Sequence, residues 1–238
     1  MRTIIFYIYL SLYLLYSTLF IPKAKRYIKR NQIEEKRLFT HKISQNWAKK
    51  LINITGSSID ITGIEHIPDE GPVLFVSNHQ SNFDIPLLLG YLPKPIGFVA
   101  KIELKKIPII STWMKYGDCV FIDRKDVRQS LRTINKASEI LKSGHSMVIF
   151  PEGTRSKSNQ LGTFKPGSLK LAEKAGVPIV PITIHNSHEV YESNNNKIKP
   201  TNIKITISKP IFAKRDNKNE KSTIIQVYES IANELNKF

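Results

Sequence analysis

A histidine and an aspartate five residues apart, His79 and Asp84, are the first candidates for chemistry in this chain. They lie in the polar segment Asn78-His79-Gln80-Ser81-Asn82-Phe83-Asp84, directly after the apolar run 73–77. A carboxylate folded back onto one ring nitrogen fixes the imidazole tautomer and leaves the other nitrogen able to take a proton. A spacing of five does not align two residues on one helical face, so the pairing needs a loop. A plainer reading stays open beside it, with Asp84 as a helix N-cap, Pro86 in the first turn and His79 as a hydrogen-bonded loop residue.

A second polar segment, Pro151-Glu152-Gly153-Thr154-Arg155-Ser156, follows the run 146–150. Gly153 lets backbone approach a ligand closely, and Arg155 offers a planar fork suited to phosphate. Lys157 and Lys165 add positive potential. Glu152 would repel a phosphate directly, so it is expected to orient Arg155 or to bind a substrate hydroxyl. The alternative is a surface turn with a salt bridge. Arg124, in Phe121-Ile122-Asp123-Arg124, and Lys101 follow two further apolar runs. No G-x-S-x-G elbow occurs, and Cys119 within Cys-Val-Phe-Ile reads as core. A base at His79 would therefore act on a nucleophile supplied by substrate, for which a hydroxyl is the natural choice. The single cysteine excludes a disulfide framework and any multi-cysteine metal site.

These residues need elements to position them. Short β-rich runs at 59–63, 73–77, 96–100, 119–122, 146–150, 179–184 and 203–208 alternate with helical stretches at 85–91, 107–116, 127–142, 168–175 and 223–236. Strands alternating with helices argue an α/β domain, in which ligands bind beyond the carboxyl ends of strands. In the helix 127–142, Val127, Leu131, Ile134, Ser138 and Leu141 form one stripe. Asp126 and Gln129 give a capping-box pattern there, and Gly144 stops the helix. The polar stretches 192–199 and 213–219 read as exposed loops.

The charge points to a surface. Of 238 residues, 36 are Lys or Arg and 20 are Asp or Glu, a formal net charge of +16. With 41% hydrophobic and 24% charged residues, the chain is neither disordered nor polytopic. Residues 3–22 carry no charge and would make roughly 30 Å of helix, about one hydrocarbon core. A signal peptide fits poorly, since only Arg2 precedes the run and no A-x-A-like site follows. Residues 23–55 hold ten basic side chains against Glu34 and Glu35, half of the net charge. Leu38, Ile43, Trp47, Leu51 and Ile54 recur at helical spacing, which predicts a basic amphipathic helix over 35–54. It would lie on anionic lipid, or else pack on the domain. The positive-inside rule places this side in the cytoplasm. The chain is expected to divide into a membrane-anchoring segment, 1–55, and a catalytic domain, 56–238. No zinc-finger, homeodomain, RRM or KH signature appears, which argues against nucleic acid.

NHQSNFD, FIDR, FPEGTRS and VPIVPITI, in that order, resemble the four blocks of the glycerolipid acyltransferases, and FVAKIELKKIP fits between the first two. The likeness covers residues 59–211 and is nearest to bacterial 1-acyl-glycerol-3-phosphate acyltransferases. It implies an α/β fold whose mixed sheet is flanked by helices, with an N-terminal membrane-attached segment. It also implies transfer of an acyl group from a thioester to the sn-2 hydroxyl of lysophosphatidic acid, giving phosphatidic acid without a covalent acyl-enzyme. The resemblance makes His79 the general base, Asp84 its holder, and Gly153, Thr154 and Arg155 the phosphate loop. Glu152 and Arg124 support substrate binding; Lys101 joins them as a strand-end charge, not through the resemblance. The apolar block around Pro178 and Pro181 suits acyl-chain contact or core packing, and packing is expected.

No cofactor or metal is expected beyond the co-substrate, an acyl group on acyl carrier protein or coenzyme A. Other expected partners are lysophosphatidic acid and an anionic membrane surface. The expected location is the cell membrane, with the catalytic domain on the cytoplasmic side. An oxyanion donor from a backbone N–H near the histidine loop is open. Two acyltransfer alternatives remain, another lysophospholipid or glycerol-3-phosphate as acceptor. From other classes come a non-catalytic lipid-binding protein and a phosphohydrolase, the latter lacking a cluster of metal carboxylates.

Overall fold

Apolar runs long enough to be buried on both faces build the centre of this molecule. The structure is a computed structural model that describes residues 1–165, 167–212 and 222–237. The expected loop 213–219 lies outside the described residues. Seven strands, β1 (Ser58–Thr62), β2 (Leu74–Ser77), β3 (Ile96–Lys101), β4 (Val120–Ile122), β5 (Ser146–Ile149), β6 (Ile179–His185) and β7 (Asn202–Ile207), form one sheet in the order β1-β7-β6-β2-β5-β3-β4. Every neighbouring pair is parallel except β6 and β7, so the sheet is mixed, as expected. The central strands β2, β5 and β6 are buried throughout, whereas β7 alternates and β1, at the edge, is the most exposed. Pro181 sits in β6, where a missing N–H would break a ladder. It is tolerated because pairing with β7 begins only at Ile182.

Alternation along the strands divides the core between two faces. Phe75, Val148, Ile182 and Ile184 point to one face, where Leu87 and Leu88 of α4 (Asp84–Tyr91) cover them. Leu74, Val76, Met147 and Ile179 point to the other, under α6 (Val127–Lys142), α7 (Lys170–Ala175) and α8 (Thr223–Leu235). A further short helix, α5 (Ile110–Tyr116), joins β3 to β4.

The stripe expected on α6 is only half right. Leu141 and Ser138 are buried, but Val127 and Leu131 are 82% and 56% exposed. The inward face runs instead through Thr133, Ala137 and Leu141, because the Gln129 and Thr133 side chains both bond the Phe121 carbonyl of β4, a register in which Val127 and Leu131 turn outward. Asp126 caps the helix by accepting the Gln129 N–H, yet no reciprocal box forms. The Gln129 side chain turns to the 121–123 segment, where it accepts the Asp123 N–H and donates to the Phe121 carbonyl.

The first 55 residues form α1 (Arg2–Ser17), α2 (Ile21–Lys29) and α3 (Ile33–Thr55), with a single 3-10 turn between α1 and α2. Residues 2–29 are long and apolar enough to cross a membrane. Phe6, Leu51 and Ile52 nevertheless enter the same buried cluster as the sheet. Arg2 donates to the Thr55 carbonyl, Tyr13 to the Ile43 carbonyl and Trp113 to Ser17, which holds α1 along the domain.

Two of the basic residues counted toward a lipid-facing α3 are internal. Lys36 and Arg37 are each 5% exposed and grip Asp118, at 2.6 and 2.9 Å. Arg37 also reaches Glu34 and both the carbonyl and hydroxyl of Ser143. This network pins α3 to the turn before β4, where the backbone carbonyls of residues 117 and 118 approach so close to Gly97 that a Cβ there would clash. Burial alone would raise the Asp118 pKa, but the hydrogen bonds from Lys36 and Arg37 outweigh it and hold it below the ordinary value. Asp118→Asn keeps the shape and tolerates the left-handed backbone of that position, φ 54°, but strands Lys36. We expect a loss of about 3 kcal/mol of stability, read by urea unfolding at pH 7. Because the folded pKa is depressed, this stabilisation is present above the unfolded value of 3.8 and disappears as pH falls through the folded one. The two proteins should therefore converge in stability at acid pH; a gap that persists there would show that charge is not the cause.

Candidate active site

Five parallel strands end on the same side of the sheet, and each hands a polar group to the loops beyond it. β2 leads to His79, β3 ends in Lys101, β4 leads to Arg124, β5 to 152–155, and β6 to Ser187 and Glu192. This is the side where α/β sheets bind ligands.

The histidine loop is held at both ends. Asn78 donates its side-chain N–H to the Ile184 carbonyl and accepts the Ile184 N–H, tying the end of β2 to β6. His79 Nδ1 lies 2.7 Å from Asp84 Oδ2. The same oxygen accepts the Gln80 and Ser81 backbone N–H groups at 2.7 and 2.9 Å, and Oδ1 accepts the Ser187 hydroxyl. Asp84 is fully buried, and its carboxylate faces back toward the loop instead of capping the helix it begins. The cap reading therefore fails, and the carboxylate serves the loop. As an acceptor it receives a hydrogen bond from Nδ1–H, so Nε2 is the nitrogen with a free lone pair. The His79 ring stacks on Phe150, with centroids 4.0 Å apart, and borders the cavity described below.

The second segment brackets His79 from the other side. Glu152, 4% exposed, accepts the His79 N–H at 2.7 Å and the Gly162 N–H at 2.8 Å. Burial raises its pKa, and these two N–H groups oppose the rise. Its oxygens are thus occupied with backbone, and it does not orient Arg155 as expected. Ser156 completes the bracket by donating its N–H to the His79 carbonyl. Arg155 instead meets Glu192, at 3.0 Å. Gly153 adopts φ 75°, and the Arg124 guanidinium lies within van der Waals reach of the Cβ it lacks. Burial lowers the Arg124 pKa from its ordinary value. Lys101 pairs with Glu103 at 3.0 Å on the surface, so its charge is partly spent.

His79, Arg124, Gly153, Thr154, Arg155 and Lys101 all border one cavity of about 550 Å³, as Glu152 does not. The cavity follows β3 over its length, roughly 20 Å for six residues. Its walls are Phe98, Val99, Ile85 and Leu89 with Tyr13, Leu14, Ile43 and Trp47 of α1 and α3, and Thr40, Arg37 and His145 stand at the end away from His79. Burial pushes His145 down to about 4, leaving it neutral at physiological pH. Among the described residues no cluster of His, Cys, Asp or Glu could hold a metal ion.

Asn78, Ser187 and Glu192 are the residues that sequence reasoning missed. Asn78 stood within a quoted motif without a role, while Ser187 and Glu192 had only their place beyond β6 to mark them.

The acyltransferase family model matches residues 58–185. The chloroplast 1-acyl-sn-glycerol-3-phosphate acyltransferase of Arabidopsis thaliana is 37% identical over 182 residues, 76% of this chain and 51% of that protein. The 1-acyl-sn-glycerol-3-phosphate acyltransferase of Pseudomonas aeruginosa is 32% identical over 72% of this chain and 67% of its own length. The chain spans about half the length of several curated relatives that it matches. Among solved structures, the 1-acyl-sn-glycerophosphate (LPA) acyltransferase of Thermotoga maritima superposes with a TM-score of 0.77 and 29% identity, over 100% of this chain and 97% of that one. With its matched model, its strand-end histidine and aspartate and its mixed sheet, this chain belongs to the acyltransferase family.

Proposed function

We propose that this protein transfers a fatty acyl group from a thioester to the sn-2 hydroxyl of lysophosphatidic acid, giving phosphatidic acid. The observation that carries the reading is the His79–Asp84 pair at one end of a long apolar cavity, with Arg155 at its border. The cavity suits an acyl chain, because its lining is mostly apolar and burial lowers the pKa of both histidines that line it besides the base, His41 and His145. Arg155 and Arg124, beside the glycine turn at 153, suit the acceptor phosphate. The names of the relatives support the same acceptor.

In the reaction, Nε2 of His79 takes the proton from the acceptor hydroxyl as its oxygen attacks the thioester carbonyl carbon. A C–O bond forms, the C–S bond breaks, and the departing sulfur leaves as thiol with the proton returned by His79. Asp84 keeps Nδ1 protonated and faces the positive charge that develops on the ring. The phosphate contacts convert a surface encounter into an oriented one. No cofactor beyond the acyl donor is invoked; the donor is a coenzyme A or acyl carrier protein thioester.

The protein works at the membrane surface on its cytoplasmic side. On α1 and the 3-10 turn after it, Phe6, Tyr9 and Tyr13 turn inward, while Ile4, Ile8, Leu12, Leu15 and Leu19 form an exposed stripe between 54% and 71% accessible. An outward apolar stripe on a helix bound lengthwise to its domain favours lying in the interface over spanning. Lys25, Arg26, Lys29 and Arg30 of the following segment would then meet anionic headgroups.

A panel of acceptors and donors tests the reading. Purified protein with vesicles of anionic lipid, labelled acyl-coenzyme A or acyl-carrier-protein thioester, and lysophosphatidic acid should form phosphatidic acid. Glycerol-3-phosphate and lysophosphatidylcholine should be poorer acceptors. Phosphate release would favour hydrolysis, and no product with either donor would overturn the proposal. Failure to float with anionic vesicles would remove the interfacial part alone.

A further inference from the structure

We propose that Glu192 is a positioning residue for the acceptor, holding Arg155 by one edge while it clamps the histidine loop. The inference rests on the reading of Arg155 as the phosphate ligand. Glu192 lies in the connection after β6, beyond residues 58–185 that the family model matches. Its side chain is only 5% exposed although polar residues surround it in sequence. A carboxylate so far from water is costly unless its oxygens are satisfied. Here every partner belongs to one of the two loops that carry the acceptor chemistry. Oε2 accepts the Ser81 hydroxyl at 2.6 Å, while Oε1 accepts the Asn82 N–H and an Arg155 Nη1–H, each at 3.0 Å.

The two ends of this contact are unequal. Glu192 is fixed by Ser81 and Asn82, whereas the Arg155 side chain is about a third exposed and borders the cavity. A guanidinium carries five N–H donors in one plane. One is engaged by Glu192, and the others remain for a phosphate at the cavity border. Two effects then compete at this carboxylate. Its charge repels an incoming phosphate, but a released arginine would have to be ordered again at each binding event. Glu192 is itself fixed by Ser81 and Asn82 and its charge is already paired with the arginine, so ordering is the greater effect. Ser81 and Asn82 lie between His79 and Asp84, so the same carboxylate sets the distance from phosphate to base.

The isosteric Glu192→Gln keeps an oxygen for the Asn82 N–H and a polar group for Ser81 but removes the charge that holds Arg155. Its KM for lysophosphatidic acid should rise about tenfold, the size expected for a lost charge-assisted contact, with kcat within about threefold and an unchanged melting temperature. In an Arg155→Ala background the same substitution should add nothing, since the two residues act as one unit. Effects that multiply independently, or a fall in kcat with KM unchanged, would overturn the proposal. A second arm needs no thioester: calorimetric binding of lysophosphatidic acid and of the matching monoacylglycerol. Glu192→Gln should weaken only the phosphorylated ligand; equal weakening of both, no weakening, or a wild type that does not prefer the phosphate would overturn it. A wild type that fails the donor and acceptor panel would overturn the functional reading, while this binding arm still decides the role of Glu192.

Discussion

His79→Ala should fold as the wild type does and lose acyl transfer by about 10³–10⁴ in kcat, the upper part of the roughly 10²–10⁴ that a positioned general base contributes. The side chain is 18% exposed at the cavity border, so its removal opens no sealed void. Apart from its ring contact with Asp84, residue 79 is tied to the fold by backbone: its N–H to Glu152 and its carbonyl to Ser156. Both survive the substitution. The lost stacking on Phe150 costs about 0.5–1.5 kcal/mol, a small shift in melting temperature. KM for lysophosphatidic acid should stay within a few-fold, because the groups proposed for phosphate and acyl chain lie on other loops. Single-turnover assays with labelled thioester, set beside a thermal melt, separate these effects. Turnover within tenfold of wild type would remove His79 from the chemistry. A collapsed melting temperature would instead show that the loop, and not the base, had been damaged.

The fold was legible where burial repeats in sequence. β2, β5 and β6 are buried at every position and mostly apolar because helices cover both sheet faces, and α3 shows its inner side as Leu51 and Ile52. All seven expected strands are present within two residues at either end. Local pattern was insufficient where a distant residue decides the outcome. Lys36 and Arg37 look like lipid-facing charges until the fold brings Asp118, about eighty residues away, against them. Val127 and Leu131 continue an apolar stripe, yet the helix meets β4 through Gln129 and Thr133 and leaves those two outside. Within the site, His79 and Asp84 were legible because one short loop joins them. The partner of Arg155 was not. Glu152 is its neighbour in sequence, but topology places β6 beside β2, and so brings Glu192 to the arginine and leaves Glu152 beneath the histidine. No spacing rule connects residue 155 with residue 192.

Asp84→Asn should cost about 10²–10³ in kcat, less than loss of the base, and the reason lies in what surrounds the carboxylate. In hydrolase triads the same change can cost about 10⁴, because an amide N–H turned toward the imidazole forces the wrong tautomer. Here the oxygen facing His79 also accepts the backbone N–H groups of Gln80 and Ser81. An amide nitrogen at that position would set its own donors against those two N–H groups, in a site with no exposure to water. The other position is more accommodating. Oδ1 faces the Ser187 hydroxyl, which can rotate to accept where it now donates. The asparagine oxygen should therefore stay toward His79, keeping the Nδ1–H tautomer and the orientation of Nε2. What is lost is the negative charge that faces the imidazolium as the hydroxyl proton arrives, and that loss acts on the transition state more than on binding. KM should accordingly change little. The Nδ1–H resonance of His79 should remain visible by NMR in the variant. A loss of 10⁴ or more with that resonance gone would mean the amide had flipped and Ser187 does not set its direction. A loss below tenfold would mean the carboxylate only shapes the loop, leaving His79 to work without a charged partner.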